Sequence, residues 1–185
     1  EKNPMLTSTY GTGQLMLDAL DKGCTKLIIG IGGSATNDGG IGMAAALGVE
    51  FLDSDNQPIP LNGQGLERLD RIDLSGRERR LDHCQILVAC DVNNPLYGLN
   101  GAAYVFAPQK GADEAMVSYL DNNLRHYAEV LMANLGIDVQ AIPGSGAAGG
   151  LGAGMVALLS AQLKLGIEII LDSVGFEQLI ADAAL

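Results

Sequence analysis

Apolar and polar positions along the chain fall into short runs that alternate between a helical and an extended period. From Gly11 to Lys22, Leu15, Ala19 and Leu20 share one face and Gly23 is placed to end the turn, which predicts a helix. Lys26 to Ile31 is a short apolar run of strand length and reads as a buried strand. A glycine-rich stretch then feeds a small-residue segment, Gly39 to Leu47, expected to be helical. Val49 to Leu52 reads as a second strand, and Asp53-Ser54-Asp55-Asn56-Gln57-Pro58 is turn chemistry. It opens an irregular excursion to about His83. Within it, Gly76-Arg77-Glu78-Arg79-Arg80 reads as a solvated turn.

Gln85 to Cys90 is a third buried strand, stopped by Asp91-Val92-Asn93-Asn94-Pro95, and Ala103 to Ala107 offers a fourth. Asp113 to Asn134 gives the strongest helical signal. Met116, Leu120, Leu124, Tyr127 and Leu131 line one face, Asp113 caps the start and Gly136 ends it. A second glycine loop, Pro143 to Gly152, feeds a helix from Ala153 to Leu163, and Ile167, Ile170, Leu171 and Val174 keep helical spacing. Strands alternating with helices, without a strong hairpin signal, predict one three-layer α/β domain over 1–185 with a mainly parallel sheet. Ligands of such sheets sit at the carboxyl ends of strands. The loops after Ile29 and Cys90 begin there.

Hydrophobic residues make up 48% of the 185-residue chain and charged residues 18%, a balance that excludes disorder. No apolar run is long enough to span a bilayer and no signal-peptide pattern opens the chain, so a cytoplasmic location is expected. The net charge of -11 argues against nucleic acid or anionic membrane as a partner. An anionic ligand would have to be held by local dipoles, a few placed cations or a metal. Cys24, Cys84 and Cys90 show no metal spacing and are expected as reduced thiols. His83 and His126 are too few for a zinc site, and His126 is expected to be solvated. The chain starts on Glu1 and ends on the apolar run Leu179 to Leu185, as though cut from something longer.

The candidate chemistry lies in the loops. Gly30 to Gly40 follows a strand and precedes a helix, so its backbone N–H groups can form an anion site. Gly32, Gly33 and Ser34 are the expected anion contacts, and Ser34, Thr36 and Asn37 can hydrogen-bond a small polar ligand. The bland alternative is a tight turn with Asn37 or Asp38 as a helix cap. Gly30, Gly32 and Ala35 also match a loose dinucleotide fingerprint, with Asp53 as the ribose acid, which keeps an NAD-binding module or enzyme as the alternative. Asp38 and Asp91 are the candidate catalytic carboxylates. Asp91 could hold Mg²⁺ or accept a hydroxyl proton, or merely bond its own turn. Lys110 is a candidate phosphate contact in an uncharged neighbourhood. Gly146, Gly149 and Gly150 form either a second anion nest or a close helix contact. The absence of Gly-Lys-Ser or Gly-Lys-Thr excludes a P-loop.

The ordered strings IGIGGSATNDGGIGMAAALGVEFLD, ACDVNNPLYGLNGAAYVFAPQKGA and GSGAAGGLGAGMVALL closely resemble the type I glycerate kinase family. TSTYGTGQLMLDALDKGC and GIEIILD are similar to it as well. The resemblance implies phosphorylation of glycerate at its 2-hydroxyl with ATP and Mg²⁺. It also implies a flavodoxin-like domain inserted into a second, discontinuous α/β domain. This chain resembles the inserted part, without the family's flanking APDSFKGSLSA-like and TGEGRxDxQT-like segments, so little activity is expected of it alone. Phe106-Ala107-Pro108 stands where members often have Phe-Gly-Pro, a change that removes no polar group.

Overall fold

The computed structural model describes residues 2–180. In chain order these form α1 (Tyr10–Asp21), β1 (Lys26–Gly30), α2 (Ile41–Ala46), β2 (Glu50–Leu52), β3 (Arg71–Asp73) and β4 (Gln85–Ala89). Then follow α3 (Ala102–Phe106), α4 (Glu114–Leu135), α5 (Ala147–Leu159), β5 (Gln162–Lys164), α6 (Gly166–Val174) and α7 (Phe176–Leu179). The main sheet has the order β1-β4-β5 with both pairings parallel. β1 and β4 run in register from Lys26 opposite Gln85 to Gly30 opposite Ala89.

The α/β class and the parallel sheet agree with the sequence pattern. Ile86, Leu87 and Val88 are all buried, and successive strand residues point to opposite faces, so central β4 is covered on both sides. β1 is different. Its residues alternate between exposed and half-buried, and Ile28 is 50% exposed. An apolar run reveals strand length, but not whether neighbours flank the strand on both edges.

Other segments also depart from the sequence expectation. β2 leaves the parallel sheet and pairs antiparallel with β3, a strand inside the stretch expected to be irregular. Ala103 to Ala107 is not a strand. It lies in α3, where Ala102, Ala103 and Ala107 are buried while Tyr104 and Val105 face outward. α5 is interrupted near its start, where Ala148, Gly149 and Gly150 are left-handed, and it stops at Leu159, because Ser160 turns left-handed (φ 55°), and the next residues extend into β5. His126 is partly buried, with Nε2 2.6 Å from the Leu69 carbonyl oxygen. All three cysteines are free thiols. Ala181 to Leu185 of the terminal apolar run lies outside the described residues. No described helix is long and apolar enough to cross a membrane.

The stripe read on α4 is the core. Leu120, Leu124, Tyr127 and Leu131 are fully buried, Asp113 accepts from the Met116 N–H, and Gly136 (φ 71°) ends the helix. Elsewhere small residues let backbones touch. A Cβ on Gly154 of α5 would lie 2.3 Å from the Gly39 carbonyl oxygen, whereas one on Gly11 of α1 would meet nothing within 4 Å. The same substitution therefore acts with opposite sign at the two sites. Gly11→Ala, in the first turn of α1 with open space around it, is expected to stabilise by roughly 0.4–1 kcal/mol by reducing the freedom of the unfolded chain. Gly154→Ala is expected to destabilise by roughly 1–3 kcal/mol through overpacking. Urea midpoints of the two variants check both signs.

Candidate functional site

The loop after β1 and the loop after β4 leave the same carboxyl edge of the sheet, because Gly30 and Ala89 are register partners. Between them lies a cleft of about 280 Å³. Gly32, Gly33 and Ser34 line one side, Asp91 the floor of the other loop, and Lys110 and Ala148 close it. Among the described residues, none of the backbone N–H groups from Gly32 to Thr36 donates to a protein acceptor. A row of free donors in a glycine turn is the backbone chemistry of an anion site.

Lys110 ends a short 3-10 turn, Pro108–Lys110, and is 5% exposed. Its Nζ donates to the Thr36 carbonyl oxygen at 2.7 Å, so it braces the glycine loop from behind. Burial lowers its pKa to about 8, with the nearby Asp38 carboxylate pulling the other way. Asp91 is exposed. Its Oδ1 accepts from the Gly166 N–H at 2.8 Å, capping α6, while Oδ2 has no hydrogen-bond partner among the described residues.

Asp38 stands elsewhere. It is fully buried and outside the cleft lining. Its Oδ2 accepts from the Thr9 N–H and Oγ1, both at 2.8 Å, and from the Gly42 N–H at 3.3 Å; Oδ1 accepts from Gly40 at 3.2 Å. Burial nevertheless raises its pKa, against the pull of those donors. Asn37 is also fully buried, and neither end of its amide has a protein partner.

In the second glycine loop the glycines lie against other backbone segments. Gly146, Gly149 and Gly150 sit behind the cleft, not in it. A Cβ would lie 2.1 Å from the Pro95 carbonyl oxygen at Gly146 and 2.0 Å from that of Thr36 at Gly149. These glycines serve close approach, the alternative left open above. Ala147 and Ala148 reach the cleft instead; Ala148 is held at φ 54° between these glycines, and its N–H has no protein acceptor among the described residues. Sequence reasoning missed it because nothing marks an alanine as left-handed.

All 185 residues match the model of the glycerate kinase family. The chain belongs to that family. It is 53% identical over 185 residues to glycerate 2-kinase of Escherichia coli K12, and 52% identical over 183 residues to glycerate kinase of Halalkalibacterium halodurans. A crystal structure assigned to glycerate kinase 2 of Salmonella typhimurium LT2 superposes with a TM-score of 0.96 at 50% identity, covering 99% of this chain. The chain spans about half the length of the curated relatives it matches, 49% of the first and 48% of the second, and 49% of the solved chain.

Family membership agrees with the geometry on the dinucleotide alternative. Asp53 is not free for a ribose. Its carboxylate accepts from the Asp55 and Gln57 N–H groups and pairs with Arg68, and these partners hold its pKa below the usual range. It also follows β2, a strand outside the sheet that carries the glycine loop.

Two expectations follow for these buried charges. Asp38→Ala strands the Thr9 and Gly42 N–H groups, so a loss of about 3 kcal/mol is expected in denaturant unfolding. Lys110 is lowered to about 8 in the fold from an unfolded value near its ordinary 10.5. Between these values the unfolded chain holds the proton longer, so stability contributed by this group rises with pH. The stability of the wild type relative to Lys110→Met should therefore increase by ~2–3 kcal/mol from about pH 7.5 to 10.5, read from paired urea melts.

Proposed function

We propose that this chain is the cleft-bearing domain of a longer two-domain glycerate kinase, which passes the γ-phosphoryl group of ATP to the 2-hydroxyl of glycerate. The observation that carries this reading is 53% identity to a glycerate 2-kinase across the whole chain. The cleft supports it chemically. Phosphoryl transfer asks mainly for positioning and charge stabilisation. Free N–H groups on Gly32, Gly33 and Ser34, with Lys110 behind them, suit a phosphate, and the free Oδ2 of Asp91 suits a hydroxyl proton. In the reaction the bond from the γ-phosphorus to ADP breaks, the bond to the glycerate oxygen forms, and the hydroxyl proton passes to Asp91.

Asp38 takes a positioning role here, tying the N-terminus of α1 to the start of α2 and so fixing the loop between them. Asn37 belongs to the same reading as a polar residue beside the loop whose buried amide has no protein partner among the described residues. Among the described residues no group of three His, Cys, Asp or Glu side chains could hold a metal ion. The fit for Mg²⁺ is therefore of the kind that uses one carboxylate, Asp91, together with substrate phosphates and water. Such an ion, when bound, neutralises phosphate charge. The share of relatives left unmatched and the exposed apolar face of α6 (Ile167, Ile170, Val174) support a further domain packed beside this one. A cytoplasmic location belongs to the same reading.

Asp91→Asn separates chemistry from fold, because an asparagine Oδ1 can still accept from Gly166 and keep the α6 cap. In the whole enzyme, kcat should fall on the order of a hundredfold with little change in melting temperature. Phosphoglycerate formation and thermal melts measured together check this. Near-normal turnover would remove Asp91 from the chemistry.

A further inference from the structure

A second cleft, of about 480 Å³, lies across the glycine loop from the first. Lys2, Asn3 and Thr7 line it on the far side, and Gly33, Ser34, Gln109 and Lys110 belong to both clefts. The shared wall carries the free N–H groups and the buried lysine. The outer walls differ in chemistry.

The larger cleft offers donors. Lys2 brings an ammonium group to a chain with a net charge of -11. The Asn3 Oδ1 accepts from the Met5 N–H at 3.0 Å, which leaves its amide NH₂ to donate. Thr7 Oγ1 donates to the Ala35 carbonyl oxygen at 2.7 Å and holds that side of the loop in place. Among the described residues no carboxylate lines this cleft. The smaller cleft joins a single carboxylate, Asp91, to an apolar wall that includes Val92 and Phe106. Small-molecule sites commonly enclose about 300–1,000 Å³, so the smaller cleft suits a small acid better than a nucleotide.

Resting on the kinase reading, we propose that the Gly32–Thr36 loop divides two subsites. The polyphosphate chain of the nucleotide lies in the cleft of Lys2, Asn3 and Thr7. The hydroxy acid lies in the cleft of Asp91, with its carboxylate toward the Ala148 N–H and its hydroxyl toward Asp91. The transferred phosphoryl group crosses at Gly33, Ser34 and Lys110, the residues common to both. The loop is then more than an anion nest: it sets the line between donor and acceptor.

The test uses the enzyme with the whole of its polypeptide. Lys2→Met removes one exposed charge and leaves the core untouched. It should raise the KM for ATP, and the Kd for inorganic tripolyphosphate measured by calorimetry, by about tenfold each, the effect of one lost charge contact. The KM for glycerate should stay within about twofold. Val92→Phe narrows the smaller cleft and should do the reverse, raising the KM for glycerate by about tenfold and sparing ATP. Lys2→Met acting on glycerate alone, on both substrates equally or on neither would overturn the division. A wild-type enzyme that forms no phosphoglycerate, yet loses tripolyphosphate affinity on Lys2→Met, would overturn the kinase reading and keep the polyphosphate subsite. Unchanged tripolyphosphate affinity in that variant would overturn the subsite itself.

Discussion

The backbone of the segment from Thr36 to Gly42 lies directly on the backbone of α5, and the placement of the cleft depends on that contact. The Gly39 N–H donates to the Gly149 carbonyl oxygen at 3.0 Å, and Gly149 and Gly154 pass too close to Thr36 and Gly39 for any side chain to intervene. Backbone against backbone has few rotamers to rearrange, so the two loops hold a fixed separation. Gly146 repeats the device against the third loop, with its N–H donating to the Asn94 carbonyl oxygen at 3.0 Å. Three loops from different parts of the chain thus meet without any flexible side chain between them. A site that must hold reacting groups to within a fraction of an ångström gains from such rigidity.

Two buried charges tighten the same junction. Asp38 collects donors from Thr9, Gly40 and Gly42, and Lys110 reaches Thr36 from the other side. Each is shifted toward its neutral form by burial, so neither is an optimal stabiliser. Breaking such an arrangement still costs more than making it returns, because the stranded partners stay out of water. The pair therefore specifies the loop's position more than it adds to stability. An apolar substitute could fill the space but would not choose which carbonyl and which N–H groups come together.

The strand–loop–helix order, the α4 stripe and the convergence of Gly32, Gly33, Ser34, Asp91 and Lys110 were legible because each rests on local chemistry or on one topological rule. Parallel strands place their following loops at one edge, so two loops read separately meet in space. What the sequence hid was non-local. β3 is three residues long and finds its partner only through β2. Ala103 to Ala107 has an apolar composition that suits strand and helix alike, and burial of Ala102, Ala103 and Ala107 decides it. Asp38 and Asp91 look equivalent in sequence, each an acid beyond an apolar strand. Thr9, 29 positions away from Asp38, occupies its Oδ2, while the Oδ2 of Asp91 stays open among the described residues. Gly146 and Gly149 could not be sorted into packing or ligand roles until their neighbours were known.

On the kinase reading, the anion chemistry of this cleft also accounts for polyanionic substrates at so acidic a chain. A patch of lysines would have to overcome the long-range field of the remaining surface, and its effect would fade with salt. Backbone N–H dipoles act at contact distance and carry no net charge to be screened. Gly32, Gly33, Ser34 and Ala148 supply such dipoles, and the left-handed geometry that aims Ala148 costs roughly 1–2 kcal/mol. Lys110 adds its charge from a buried position where salt does not reach. Binding then depends on the ligand's shape as much as on its charge: an anion must fit the spacing of the donors, and the acidic surroundings repel those that do not. The negative surface becomes part of the selectivity, since only a ligand that reaches the loop recovers what it loses in approaching it.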